Sequence, residues 1–116
     1  MPRIPSIENA FFGSIMIDGK KYSKDLVVSW DGEILERDRT HKFGKNELGE
    51  LMLKDPEAIV IGTGNSGLMQ VDQDAKVHAN LNGVDVIVAK TPEAIRHFNS
   101  LARTRKKVIA VLHATC

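Results

Sequence analysis

Residues Ala58-Ile-Val-Ile-Gly-Thr-Gly-Asn-Ser-Gly67 constrain this chain most. Ala58 to Ile61 is apolar without alternation, the pattern of a strand covered on both faces. A glycine-rich turn follows at once. Gly62, Gly64 and Gly67 spell G-x-G-x-x-G, the lettering of a dinucleotide fingerprint, in which glycines let the backbone approach a pyrophosphate. That fingerprint also wants an acid about 20 residues on, at the end of the next strand. The next apolar run, Val84 to Ala89, ends in Lys90-Thr91, and its one acid, Asp85, stands at the wrong end. The competing reading is a tight strand-to-helix turn where glycine supplies backbone angles that other residues avoid. A plain anion site on the exposed amides lies between the two.

The rest of the chain hangs on that strand. Between Leu68 and Asn82 the clearest helical part is Gln73 to Leu81, with Asp72 as cap and Asn82-Gly83 as stop. Thr91-Pro92-Glu93-Ala94 reads as a helix start with threonine as cap, proline in the first turn and an acid behind it. Ala94, Ile95, Phe98, Leu101 and Ala102 give that helix one apolar face, and Arg103, Arg105, Lys106 and Lys107 suit its carboxyl end. Lys107 to Leu112 is a third strand. Strand, helix, strand, helix, strand implies right-handed crossovers and at least partly parallel pairing.

The front of the chain is antiparallel in character. Residues 1–10 carry two prolines and no period, which reads as an arm or an edge. Phe12 to Asp18 alternates and ends in Asp18-Gly19, a hairpin signal, with Lys20 to Ser23 returning. Asp25 to Trp30, Asp31-Gly32 and Glu33 to Arg37 repeat the pattern, so a small meander is expected. Arg37 to Lys45 is basic, has little period and contains Arg39 and His41. It reads as a solvated loop or as a basic arm able to close over an anion. Asn46 to Lys54 places Leu48, Leu51 and Met52 on one helical face, and Asp55-Pro56 ends it.

A chain of 116 residues with 42% hydrophobic and 27% charged residues is expected to form one domain, 1–116, with a real core. Its net charge of +1 gives no general pull toward nucleic acid or an anionic membrane. The single cysteine, Cys116, cannot form an internal disulfide, and no apolar run reaches membrane-spanning length. A cytoplasmic location without membrane insertion is the expectation.

Chemistry is expected beyond the carboxyl ends of the strands, at Gly62 to Gly67, Lys90-Thr91 and His113 to Cys116. The last strand could run either way, and only a parallel one brings these together. His113 and Cys116 invite a nucleophile-and-base reading. Residues three apart on a strand face opposite ways, however, and a terminal carboxylate beside a thiol raises its pKa. Two ligands also fall short of a structural zinc site. No catalytic residue, metal or cofactor is assigned. His78 and His97 fall on helices, where an exposed face is their expected place.

The Ala58-Ile-Val-Ile-Gly-Thr-Gly run, Gly83-Val-Asp-Val-Ile-Val, Thr91-Pro-Glu-Ala-Ile-Arg-His-Phe-Asn99 and the His113-Ala-Thr-Cys116 ending together resemble a small domain-of-unknown-function family. That family is similar to the human adipogenesis-associated Mth-domain-containing protein and to mitochondrial complex I assembly factor 3. The resemblance covers almost the whole chain. It implies an α/β fold in three layers: a central mixed, mostly parallel sheet, helices on one side and an antiparallel element on the other. It also implies that no enzymatic activity is established and that the mitochondrial relative acts as a protein partner during respiratory-complex assembly. His113, Thr115 and Cys116 are the family-motif tail. Relatives often lack the third glycine, so Gly67 is a local feature of this chain.

Two functions follow as expectations. One is a non-enzymatic binding or assembly module that works through protein contacts or self-association, using an apolar patch. Trp30, Phe11 and Phe12 are candidates for such a patch or for the core. The other is a small-anion or nucleotide site, formed by Gly62, Thr63, Gly64, Asn65, Ser66 and Gly67, with Arg37, Arg39 or His41 closing over it.

Overall fold

A computed structural model describes residues 5–11, 13–37, 41–104 and 106–114, and of Phe11 the backbone alone. Three strands, β1 (Ile7–Phe11), β2 (Ser14–Ile17) and β3 (Lys20–Tyr22), form a small antiparallel sheet in that order. Asp18 and Gly19 both take positive φ, 50° and 83°, as the tight hairpin between β2 and β3 requires. The main sheet has the order β5-β4-β10-β7-β9, from β4 (Asp25–Ser29), β5 (Ile34–Arg37), β7 (Ala58–Gly62), β9 (Asp85–Ala89) and β10 (Val108–Leu112). β10 runs parallel to β7, and β7 parallel to β9, while β4 is antiparallel to both β10 and β5. A two-residue pair, β6 (Lys42–Phe43) with β8 (Gln70–Val71), closes one end.

The mixed, three-layer α/β architecture with its antiparallel element is therefore present, but helices pack on both faces of the main sheet rather than one, and its pairings are half parallel and half antiparallel. The front of the chain divides, though, where one meander was expected. β4 and β5 join the main sheet because β4 is buried along its whole length. A strand with no polar face needs cover on both sides, and only the central sheet provides it. The segment expected as an arm or an edge contains β1, an edge strand of the small sheet, held because Ile7 is buried.

Alternation along β4, β7 and β10 sorts their side chains into two cores. Leu26, Val28, Val60, Ala110 and Leu112 face α3 (Thr91–Arg103) and the small sheet, around Phe98 and Ile15. Val27, Ile59, Ile61, Ile109 and Val111 face α1 (Lys45–Met52) and α2 (Gln73–Leu81), around Phe43 and Leu48. Each large side chain buried this way contributes roughly 1.5–3 kcal/mol. The expected cap of α2 is present, since the Asp72 side chain accepts from the Asp74 amide at 2.9 Å. Trp30 is half-buried against both cores. The expected patch partner Phe12, and the side chain of Phe11, lie outside the described residues.

Candidate functional site at the carboxyl edge of the central strands

Because β10 runs parallel to β7, His113 comes to the same sheet edge as the glycine turn. The His113 amide donates to the Gly62 carbonyl at 3.0 Å. Gly62 is required there for space. A Cβ would lie 2.9 Å from Thr91 Oγ1 and 3.0 Å from Thr91 Cα, inside contact distance. Gly64 and Gly67 are required for angle, with φ of 101° and 74°.

Thr91 stitches the edge together. Its hydroxyl accepts from the Gly64 amide at 2.9 Å and donates to the His113 carbonyl at 2.8 Å. Its own amide donates to the Gly64 carbonyl at 3.1 Å. The expected cap role of Thr91 is thus corrected: Lys90 occupies the N-cap position, with no side-chain hydrogen bond, and α3 begins at Thr91. The buried hydroxyl is committed to the two strand ends, a role that a start signal read along the chain cannot reveal. The glycine turn also leads into β8, not into a helix. The helix start set against it belongs to α3, a strand later. The strand-turn-helix unit of the dinucleotide fingerprint is therefore not what the three glycines build.

The His113 ring is fully buried. Its Nδ1–H donates to Asp25 Oδ2 at 2.6 Å. Asp25, itself buried at the start of β4, also accepts from the Ala114 amide at 2.9 Å and from Arg37 Nη1 at 3.2 Å. Three donors are thus aimed at Asp25. A carboxylate on Nδ1 selects the ring tautomer that leaves a lone pair on Nε2. Nε2 is buried and has no hydrogen-bond partner among the described residues. Nearly all buried polar atoms are paired, so an unpaired one calls for a partner such as a water, an ion or a ligand group.

Arg37, at the end of β5, carries the charge balance. Its guanidinium grips Glu47 of α1 with both arms, at 2.7 and 2.8 Å, and reaches Asp25 with the same group. Burial opposes its charge, yet the carboxylates of Glu47 and Asp25 hold its pKa above the ordinary guanidinium value. Its Nη2 also donates to the Lys42 carbonyl at 3.2 Å. With Met69 Sδ 3.5 Å from Nη1, the group is walled in by the limb returning from the glycine turn.

His41 sets its ring edge-on to His113, with centroids 4.9 Å apart. Its carbonyl accepts from the Gln70 amide at 2.8 Å, which anchors this end of the basic segment. That segment was expected as a loop. Its second half is β6, pinned by the buried Phe43.

The predicted residues therefore meet only in part. Gly62 to Gly67, Arg37, His41 and His113 converge on one edge. Arg37 does not reach over the turn, because two carboxylates already hold it. In the turn, the Thr63 amide donates to the Ala89 carbonyl and the Gly64 amide to Thr91. Asn65 is half-buried, whereas Ser66 and Gly67 are exposed. The stem of Lys90 lies along Gly67, 3.5 Å from where a Cβ would be. Arg39, Thr115 and Cys116 lie outside the described residues. His78 and His97 are exposed on their helices, as expected. Asp25 and Glu47 were missed. The one signal for Asp25 was an acid opening a wholly apolar run. Among the described residues no cluster of three or more histidine, cysteine or acidic side chains could hold a metal ion.

A model of the family described as "protein of unknown function (DUF498/DUF598)" matches residues 7–113. Among solved structures, the conserved hypothetical protein PH1505 from Pyrococcus horikoshii OT3 is 28% identical, with a TM-score of 0.83 over 95% of this chain and 98% of that one. A structure titled MT938 is 29% identical, with a TM-score of 0.82 over 97% and 99%. A Mth938-like domain from Bordetella pertussis shares the fold at 14% identity, with a TM-score of 0.67 over 95% and 85%.

Proposed function

Because the chain belongs to the DUF498/DUF598 family of proteins of unknown function, which supplies no activity to carry over, we propose its role from the site itself. It is a non-enzymatic binding module for a small phosphorylated molecule that also bears a hydroxyl or amine, such as a nucleotide or a sugar phosphate. The anionic group lies on the turn at Asn65, Ser66 and Gly67, beside Lys90. The hydroxyl or amine donates to Nε2 of His113. The observation that carries this reading is the buried Nε2, unpartnered among the described residues and fixed in orientation by Asp25 at the same edge as the glycine turn.

The Asp25–His113 pair resembles the orienting half of a general-base arrangement. Such a base needs a reacting hydroxyl or thiol within hydrogen-bond reach. Among the described residues none lies there. Binding, not turnover, is the reading this geometry favours.

The test is an NMR titration with inorganic phosphate, AMP and ribose 5-phosphate, following the His113 ring nitrogens and the amides of residues 65–67. Ribose 5-phosphate or AMP should move both sets of signals, and inorganic phosphate the amides alone. Lys90→Glu should weaken all three while leaving the fold intact. If neither set moves with any compound, the proposed site is wrong.

The module acting through protein contacts is a second reading, favoured by one feature. A groove of about 600 Å³ runs between α1 and the outer strands, with Leu35 half-exposed on its floor.

A further inference from the structure

We propose that this groove, with the free edge of β5, is a docking site for an extended basic peptide segment that adds as a sixth strand to the central sheet. The proposal rests on the protein-contact reading and gives it a partner chemistry.

β5 is the last strand of its sheet and pairs only with β4 among the described residues. Its outer backbone groups are thus a template for another strand. The edge is short and its one cation is turned inward, which limits indiscriminate pairing, but Ile34, Leu35, Glu36 and Arg37 include no lysine, proline or bulge that would bar a further strand. Arg37, the one cation on it, is turned inward to Glu47 and Asp25, with a side chain only 6% exposed.

The groove beside this edge has an apolar floor and an acidic surround. Val27 and Leu35 form the floor, and Leu35 is 51% exposed where Val27, its partner on β4, is 8% exposed. α1 stops short of covering it and presents Glu47, Glu50 and Leu51 as a wall. Both cations in the lining are already matched: Arg37 by two carboxylates, and Lys54 by Asp31 at 2.8 Å and Glu33 at 2.7 Å. Glu50 has no ion partner among the described residues. Glu36 has only a loose contact with Lys24 at 3.8 Å, with both side chains about two-thirds exposed. The surplus charge along the groove is therefore negative. A strand laid on β5 would alternate with it, setting apolar side chains beside Leu35 on the α1 face and basic ones beside Glu36 on the other. Backbone pairing supplies the affinity, and the carboxylates select the sign of the partner.

The test uses the whole chain and a short acetylated, amidated peptide alternating lysine and valine. Controls are the same peptide with glutamate for lysine, and one with proline at its centre. The lysine peptide should shift the amide signals of Ile34 to Arg37 and of Glu50. Both controls should bind at least about tenfold more weakly, one for charge and one for the missing backbone donor. Glu36→Lys, on an exposed strand position, should lose most of the affinity with an unchanged circular dichroism spectrum. Equal binding of the acidic peptide, or shifts confined to another surface, would overturn the groove assignment but keep a protein-contact role. No shifts anywhere would overturn both.

Discussion

Asp25 ties three separate segments together, and it can be tested singly. It joins the strand that carries it to Ala114, to His113 and to Arg37. Asp25→Ala leaves Arg37 half-matched and the His113 Nδ1–H unpaired in a dry interior. Removing one partner of such a buried group costs about 3–5 kcal/mol, readable as a lower urea midpoint. A cost below about 1 kcal/mol would mean that the cluster is hydrated and loosely held. The two glycines of interest should respond oppositely. Gly62→Ala forces a methyl against the Thr91 backbone and Ala94, and overpacking of this kind costs about 1–3 kcal/mol. Gly49, inside α1, has open space around its Cα, so Gly49→Ala should stabilise by about 1 kcal/mol. The sequence disclosed the second effect through helix propensity alone. It disclosed the first only as a glycine motif, whose lettering suggested a ligand where the cause is a neighbouring helix. Asp25 showed only as an acid opening an apolar run, because its partners lie on the next strand and about ninety residues along the chain.

Elements were legible in proportion to their length and period. β7, β9, β10, α2 and α3 lie within a residue or so of where apolar runs and stop signals put them. β6 and β8 were missed because two-residue strands have no period to read. Their pairing is fixed by Phe43 entering the core and by backbone bonds from Gln70 and Asp72. The link between the β4–β5 turn and the end of α1 was also invisible, as it is made by surface charges. Lys54 bridges Asp31 and Glu33 there. The hydrogen bond from Lys54 lowers the Asp31 pKa, so this carboxylate contributes stability above its unfolded value, near 4. That contribution is lost as pH falls through the lower folded value. Lys54 is shifted upward: burial opposes its charge, but Asp31 and Glu33 outweigh it. Its contribution is therefore present at neutral pH and lost only under strongly alkaline conditions. The groups are a quarter or more exposed, so the bridge is worth under about 1 kcal/mol. Lys54→Met should cost that little at pH 7 and nothing at a pH below the Asp31 titration. The difference should also shrink in high salt. An equal loss at both pH values would assign the effect to packing of the lysine stem instead.

Across the whole molecule, one strand orders the rest. β10 is last in sequence but central in space, with β7 on one side and β4 on the other. It is buried along its whole length, and its side chains divide the two cores between them. The small sheet is attached differently. It leans on α3 through the apolar contacts of Ile7, Ile15 and Ile17, and through one side chain that imitates a strand partner. Asn99 Oδ1 accepts from the Ile7 amide at 3.2 Å, and its Nδ2 donates to the Ile7 carbonyl at 2.7 Å. The amide group of Asn99 thus completes the backbone pairing at the end of β1, and no other side-chain type of that size offers both functions. Opening of the small sheet should therefore be separable from opening of the central one. In native-state hydrogen exchange, amides of β7 and β10 should exchange only through global unfolding, while those of β1 to β3 open at lower free energy. Asn99→Ala should lower the opening free energy of β1 to β3 by about 1–2 kcal/mol, the cost of leaving a buried backbone pair unmade. It should leave the ranking within β7 and β10 unchanged. Uniform acceleration of exchange in both sheets would show instead that the two layers unfold as a single cooperative unit and that Asn99 supports the whole of it.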